Sequence, residues 1–166
     1  MGSNLAIGSE FEAAGGRGMW RVRNVPLPEP HLLGMAIGGW LHHLPPWKLP
    51  ASRNVGRLVG CSLIAFGTCV IARSMGAAGQ VNLDSPESLV TSGPYAVSRN
   101  PMYVGWALLH VGAGVSARSG WVLVAFPLAA ACVHHQILQE ERELGEKFSG
   151  EYARYRGEVP RYFPEA

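Results

Sequence analysis

Apolar residues in this chain are gathered into long runs that are separated by short polar or proline-containing segments. A helix needs about 20 predominantly apolar residues to cross a bilayer, and the first run reaches that length only when it is extended over residues 28–47. The pattern predicts an all-α integral membrane helical bundle of about four transmembrane helices. The predicted apolar segments are residues 31–44, 55–74, 101–117 and 120–138.

Beyond residue 138 the density of charged residues rises sharply. Residues 139–155 carry one apolar stripe at the spacing i, i+4, i+8 and i+11, which predicts a polar helix with a single apolar face. This helix leaves the membrane and forms a C-terminal cap, and the glycines at 145 and 150 predict a break near residues 149–150. The stripe consists of Leu144, Phe148, Tyr152 and Tyr155.

Glycine pairs at four-residue spacing occur in two of the apolar segments, as Gly34 and Gly38 and as Gly56 and Gly60. Small residues at this spacing allow the backbones of membrane helices to approach closely. These positions are therefore predicted to lie at helix–helix contacts. Pro127 predicts a kink in the fourth segment.

The distribution of positive charge predicts the orientation of the bundle. Of the 14 lysines and arginines, four (Lys48, Arg53, Arg57 and Arg118) fall on one side of a four-span arrangement, which leaves ten on the side that holds both termini. Cytoplasmic loops carry an excess of lysine and arginine. We therefore expect a protein of the inner or cytoplasmic membrane, with both termini and the polar cap in the cytoplasm.

Composition agrees with a membrane protein and excludes some other classes. Charged residues make up 16% of the chain, against about 25% in soluble domains. The net charge of +2 is too small and scattered for nucleic-acid binding. The three cysteines all lie in apolar segments without paired or metal-type spacing, so no disulfide framework or metal site is expected.

Residues 1–18 differ from the rest of the chain. Gly8-Ser9-Glu10-Phe11 is what adjacent restriction sites commonly encode, and Gly15-Gly16 resembles a linker. We interpret residues 1–18 as a vector-derived leader or a disordered N terminus, and residues 19–166 as a single membrane domain.

One irregular stretch, residues 89–106, interrupts the apolar pattern with turn-forming residues and a lone cation. Gly93-Pro94 predicts a turn, and Pro101 suits the first position of a new helix. Arg99 and Asn100 should therefore lie at a helix mouth. Free backbone N–H groups and the positive end of the helix dipole favour a carboxylate or phosphate there.

This stretch resembles the signature of the isoprenylcysteine carboxyl methyltransferase and phospholipid methyltransferase superfamily, a group of integral-membrane methyltransferases. The fixed positions of that signature are Leu89, Val90, Thr91, Gly93, Tyr95, Arg99, Asn100, Pro101, Tyr103 and Gly105. A second block is similar to the family's C-terminal pattern. Its residues are Glu140, Glu141, Leu144, Phe148, Glu151, Tyr152, Tyr155, Val159 and Pro160.

The resemblance implies S-adenosyl-L-methionine as cofactor, with the Arg-Asn-Pro and Glu-Glu elements lining its pocket. Carboxylates suit the ribose hydroxyls or the ammonium, and donors at the helix mouth suit the carboxylate. The cofactor-binding residues predicted in this way are Leu89, Val90, Tyr95, Arg99, Asn100, Pro101, Tyr103, Glu140 and Glu141. The candidate catalytic residues are Arg73, Arg99 and Glu141.

Arg73 is similar in placement to an arginine that the prenylcysteine enzymes carry near the acceptor's carboxylate. Those enzymes also carry an acidic residue about two turns upstream, and here residues 66–69 contain no acid. The acceptor therefore stays open between a prenylcysteine-like carboxylate, a phospholipid amine and a small thiol. In each case the expected partners are membrane lipids and a lipophilic or lipid-linked substrate.

Two other functions are compatible with the same sequence. The chain could be a non-enzymatic membrane scaffold or transporter-like subunit that retains the fold, in which case it would not bind S-adenosylmethionine. It could also be a metalloenzyme built on His42-His43 and His134-His135, although histidine pairs at span ends are usually interfacial. The sequence leaves the oligomeric state open.

Overall fold

The computed structural model describes residues 28–44, 46–79, 81 and 86–163, and these residues form helices and connecting segments without a strand. This confirms the all-α prediction, whereas the interpretation of residues 1–18 falls outside the described residues. The helices are α1 (Glu29–His43), α2 (Arg53–Ala78), a short 3₁₀ helix (Gly93–Ala96), α3 (Pro101–Ala117) and α4 (Gly120–Glu158).

Local sequence signals set the helix ends. The hydroxyl of Ser52 accepts a hydrogen bond from the Val55 amide at 3.3 Å and caps α2, and Ser119 caps α4 through the Val122 amide at 3.4 Å. Gly79 ends α2 with a positive φ of 59°, which costs a glycine little. Pro101 opens α3 at the first helical position, as the sequence predicted.

Helices α2 and α3 pack through glycines whose missing side chains allow the backbones to touch. A Cβ atom on Gly60 would lie 2.5 Å from the Ser116 amide nitrogen and 2.6 Å from the Gly112 carbonyl oxygen. A Cβ on Gly67 would lie 2.6 Å from the Gly105 carbonyl oxygen. The predicted role of the small residues in helix contact is thus confirmed at Gly60.

Helix α1 packs against α3 and α4, where a buried polar group joins the three helices. The Nδ1 atoms of His31 and His110 are 3.0 Å apart, and Nε2 of His110 lies 3.0 Å from the Val122 carbonyl oxygen. Close by, a Cβ atom on Gly38 would lie 2.7 Å from the Val122 Cα atom. Buried polar groups stabilise a core only when they are paired, and these histidines are.

The outer surface of the bundle is apolar, as in a membrane protein. Leu58, Phe66 and Leu128 are 70%, 62% and 72% exposed. Helices α2 and α4 are long and apolar enough to span a bilayer, and an 18-residue stretch of each has a mean hydropathy of 1.9 and 1.6, respectively. Helices α1 and α3 have 15 and 17 residues and fall short of the roughly 20 residues of a full span. The fold is an all-helical membrane bundle, and the count of four crossings stays a prediction.

Helix α4 bends at Ser149, where φ is 27° and ψ is −97°. The predicted break near residues 149–150 is therefore confirmed. Beyond it the chain returns along its own helix, because the Tyr162 hydroxyl reaches Nδ1 of His134 at 2.6 Å and Arg161 reaches Glu141 at 2.9 Å. The cap is thus a hairpin-like C-terminal element that lies against the polar end of the bundle.

Candidate active site

The turn that leads into α3 is held by the C-terminal element. Gly93 takes a positive φ of 61°, and the following residues form the 3₁₀ helix that buries Tyr95. The hydroxyl of Tyr155 donates a hydrogen bond to the Tyr95 carbonyl oxygen at 2.7 Å. Tyr155 belongs to a small apolar core with Tyr152 and Val159, so the packing of the cap determines where this turn lies.

The next residues are joined to the end of the chain through their backbone. The Arg99 amide donates to the Pro160 carbonyl oxygen at 2.9 Å. The Ser98 hydroxyl donates to the Arg161 carbonyl oxygen at 3.0 Å and accepts from the Asn100 amide at 3.2 Å. Residues 98–100 and 160–161 therefore form one unit, although about 60 residues separate them in sequence.

The guanidinium of Arg99 is fully engaged inside the protein. Its Nε and Nη2 atoms donate to Glu141 at 3.1 to 3.3 Å, and its Nη1 atom donates to the carbonyl oxygens of Arg156 and Val159 at 3.0 and 2.9 Å. All three nitrogens of the guanidinium therefore donate hydrogen bonds within the protein. The side chain is only 8% exposed. Arg99 therefore orients the turn and the cap through hydrogen bonds made within the protein.

Glu141 is the centre of this network. Its carboxylate accepts hydrogen bonds from Arg99, from the Asn100 amide group at 3.2 Å, and from Arg161 at 2.9 and 3.1 Å. Burial raises the pKa of Glu141, but the hydrogen bonds and charges of Arg161 and Arg99 outweigh burial and hold it below its usual range. The carboxylate is ionised and its acceptor capacity is used within the protein.

A cavity of about 490 Å³ lies between the turn, the start of α3 and the polar part of α4. Its volume falls within the range of about 300–1,000 Å³ that is usual for small-molecule sites. All nine predicted cofactor-binding residues line it: Leu89, Val90, Tyr95, Arg99, Asn100, Pro101, Tyr103, Glu140 and Glu141. Two segments that are far apart in sequence thus contribute to one concave site.

Glu140 and Tyr103 form the second polar pair of the cavity. The Tyr103 hydroxyl donates to Oε1 of Glu140 at 2.5 Å, and Glu140 is exposed. Burial, and then the charge of Glu140, raise the pKa of Tyr95 to about 12, so its phenol stays protonated. The two adjacent glutamates therefore differ in environment: Glu141 is enclosed by cations, whereas Glu140 stands at the open side of the cavity.

The structure separates Arg73 from this site. Arg73 is exposed near the end of α2 and is not among the residues that line the cavity. Within the described part of the chain, no group of three or more histidine, cysteine, aspartate or glutamate residues is arranged to hold a metal ion.

Several cavity residues were not predicted from the sequence, namely Pro86, Ser88, Met102, Glu143, Leu144, Lys147, Tyr152 and Tyr155. Arg161, which pairs with Glu141, was also missed. Glu143, Leu144 and Lys147 follow the Glu-Glu pair within two helical turns, so helical spacing could have indicated them. No local sequence pattern indicates Arg161, because its contact with Glu141 forms only when the chain folds back at Ser149.

The fold and the site together define an integral-membrane protein with a small-molecule cavity at its polar end, and comparison with known proteins gives this class a name. Residues 55–151, more than half of the chain, match the family model for phospholipid methyltransferase. The chain belongs to this family, which confirms the resemblance found in the sequence.

The individual relatives are more distant. The chain is 34% identical over 119 residues to the cobalt-zinc-cadmium resistance protein CzcN of Cupriavidus metallidurans, over 71% of this chain and 51% of that protein. It is 30% identical over 115 residues to the protein-S-isoprenylcysteine O-methyltransferases of Homo sapiens and Xenopus laevis, over 64% of this chain and 40% of each enzyme. The chain thus spans about half or less of the length of these relatives.

Proposed function

We propose that the chain is an S-adenosyl-L-methionine-dependent methyltransferase that acts on a lipophilic or membrane-partitioning acceptor. The observation that carries the proposal is the convergence of the two predicted segments, residues 89–103 and 140–141, on one cavity of about 490 Å³. Family membership supports methyl transfer in general, and the cavity supplies the residue types that this cofactor requires.

The lining of the cavity fits the cofactor group by group. The aromatic and aliphatic surfaces of Tyr95, Leu89 and Val90 suit the adenine ring. The carboxylates of Glu140 and Glu143 suit the ribose hydroxyls and the ammonium, and Lys147 suits the carboxylate. The start of α3 adds the positive end of a helix dipole at the same wall.

The two glutamates take different parts in this proposal. Glu140, with the Tyr103 hydroxyl fixed on its Oε1 atom, contacts the ligand directly. Glu141 and Arg99 are positioning residues, because their hydrogen bonds are all made within the protein. This assignment differs from the expectation from the sequence, which gave Glu141 direct contact and allowed Arg99 either to hold the cofactor carboxylate or to orient the loop.

When bound, the cofactor supplies a methyl group that is activated by a sulfonium. The residues of this chain then have to orient the two reactants and exclude water rather than provide a strong nucleophile. A carboxylate or thiolate acceptor needs no general base. For an amine acceptor, Glu140 can take the proton at its carboxylate, since it lies at the open side of the cavity.

The acceptor is proposed only by class. The relatives from Homo sapiens and Xenopus laevis are named for isoprenylcysteine and the family for phospholipid, so a lipid-related acceptor is favoured over a soluble one. The apolar outer faces of α2 and α4 support this choice, because a protein with such faces would contact membrane lipids. Arg73 remains a candidate for a carboxylate on the acceptor, although it does not line the cavity. The site is expected to face the cytoplasm, where the cofactor is dissolved.

Isothermal titration of the detergent-purified protein with S-adenosylmethionine and S-adenosylhomocysteine tests the proposal. We expect saturable binding that Glu140→Gln weakens about tenfold, the loss of one charge-assisted hydrogen bond. The matched control is Glu146→Gln, which removes an exposed glutamate outside the cavity. Absence of binding at millimolar cofactor would favour the other function considered, a membrane scaffold or transporter-like subunit that retains the fold.

A further inference from the structure

A second concave surface adjoins the cavity and shares Glu141 and Tyr152 with it. This groove has a volume of about 860 Å³. Its lining includes three arginines, Arg142, Arg156 and Arg161. We call it the basic groove. The methyl-transfer proposal does not use it.

The bend at Ser149 creates the groove, because it brings residues from both arms of α4 and from the end of the chain onto one surface. Arg142 comes from the arm before the bend, Arg156 from the arm after it, and Arg161 from the segment that follows α4. Three guanidinium groups that are up to 19 positions apart in sequence thus line one groove. A straight helix would not bring Arg161 there.

The arginines retain donors that can bind an anion. Arg142 uses Nε on its own helix, donating to the Leu138 carbonyl oxygen at 3.1 Å. Arg161 uses Nε and Nη2 on Glu141, which holds its guanidinium in place and leaves Nη1 without a partner among the described residues. In that same part of the chain, the guanidinium of Arg156 has no hydrogen-bond partner.

The groove also has an excess of positive charge. Among the described residues that line it, the one carboxylate is that of Glu141, which already pairs with Arg99 and Arg161. At the boundary with the cavity, the hydroxyl of Tyr152 is buried and has no hydrogen-bond partner within the described residues, although the residue is only 3% exposed. A buried hydroxyl without a partner costs free energy, and an anion in the groove would provide one.

The groove begins where the apolar half of α4 ends. His135 and Leu138, at its membrane end, precede the charged part of the helix. A basic pocket at this depth is suited to lipid phosphates, and arginine binds phosphate through paired N–H donors. We propose that the basic groove binds a phosphate group, which is supplied by an anionic lipid headgroup or by a soluble phosphate.

The test measures binding by the full-length protein in a nonionic detergent, at constant ionic strength and without methyl donor. Three probes are titrated: dihexanoyl phosphatidylglycerol, inorganic phosphate, and dihexanoylglycerol, which lacks the phosphate. We expect the first to bind saturably and the last not to bind. Saturation by inorganic phosphate as well supports a site that needs no acyl chains, and saturation by the lipid alone supports a headgroup site.

The variants separate the groove from general surface charge. Arg142→Gln combined with Arg156→Gln should weaken binding at least tenfold, and both side chains are exposed, so the fold should persist. Arg154→Gln is the matched control. Arg154 lies on the same arm of α4 as Arg156, but it pairs with Glu158 and is outside the groove. Its affinity should stay within twofold of the parent protein.

Three results would overturn the proposal. They are no saturation by either phosphate probe, equal binding of dihexanoylglycerol, and equal losses in Arg154→Gln and the double variant. Because no methyl donor is present, the outcome is independent of whether the proposed enzymatic function is correct.

Discussion

Arg99 and Glu141 lie 42 positions apart and form an ion pair in which Nη2 is 3.1 Å from Oε1, with both side chains less than 10% exposed. Arg99 also donates hydrogen bonds to the carbonyl oxygens of Arg156 and Val159. Glu141 also accepts hydrogen bonds from the side chains of Asn100 and Arg161. The pair thus joins the start of α3, the polar part of α4 and the end of the chain. Both residues of the pair line the cavity.

The first prediction concerns the geometry of Arg99. Lysine keeps the charge but cannot donate to Glu141 and to two carbonyl oxygens from one planar group. We expect Arg99→Lys to remain inserted in the membrane, with cofactor affinity reduced at least tenfold and an apparent Tm lower by several degrees. Calorimetry and thermal unfolding in detergent measure both quantities. Arg154→Lys, an exposed arginine on the cap, should change neither quantity. Parent-like affinity in Arg99→Lys would show that cofactor binding does not depend on the planar geometry of the Arg99 guanidinium.

The second prediction separates the adjacent glutamates. Glu141→Gln leaves Arg99 and Arg161 without their common anion, and breaking a buried pair typically costs about 3–5 kcal/mol. We expect it to unfold at a much lower temperature and to expose the C-terminal element to protease. Glu140→Gln should keep the parent Tm and lose mainly cofactor affinity. A stable Glu141→Gln protein that has lost only cofactor affinity would indicate that Glu141 contacts the ligand directly.

The third prediction compares two tyrosines of the cap. Tyr155→Phe removes the 2.7 Å hydrogen bond to the Tyr95 carbonyl oxygen and leaves that buried oxygen unpaired, which costs about 1–3 kcal/mol. Tyr152→Phe removes a hydroxyl that has no partner among the described residues. In phosphate-free buffer we expect a lower Tm for Tyr155→Phe and an unchanged or higher one for Tyr152→Phe. The reverse order would contradict this arrangement of the cap.

The fourth prediction tests the glycine contact between α2 and α3. Gly60→Ala places a Cβ atom 2.5 Å from the Ser116 backbone, so the helices must separate and the protein should be destabilised by about 1–3 kcal/mol. Gly76→Ala lies on the same helix in open space and should stabilise the helix by up to about 1 kcal/mol. Thermal unfolding of the two variants in the same detergent should show shifts of opposite sign.

The fifth prediction concerns topology. We expect single cysteines placed near residue 28 and near residue 163 to react with a membrane-impermeant maleimide on the same, cytoplasmic side of sealed vesicles. Cysteines in the connection at residues 46–50 should react from the opposite side. Termini on opposite sides would mean that one of the two shorter helices, α1 or α3, does not cross.

The helical architecture followed directly from the sequence, because hydrophobic runs and caps are local signals. The expected segment 101–117 coincides with α3, and the expected segment 31–44 differs from α1 by two residues at its start and one at its end. The break at Ser149 was also indicated, since Gly150 weakens a helix locally. The length of α2 was underestimated: it runs from Arg53 to Ala78, beyond the most apolar residues, because Ser52 and Gly79 determine its ends.

The sequence predicted which residues meet at the cavity, whereas the hydrogen bonds that those residues make were decided by the tertiary structure. Two sequence blocks identified nine residues that line one cavity. Neither block could show that Arg99 donates hydrogen bonds to Glu141 and to carbonyl oxygens near the end of the chain. Nor could either block show that Arg161 belongs to the same network. Those contacts join residues 20 to 60 positions apart, and the contacts that involve residues 156–161 exist because α4 folds back at Ser149. Periodicity and motif spacing describe neighbours along a helix, whereas the distribution of a carboxylate's hydrogen bonds depends on which distant donors the fold brings to it.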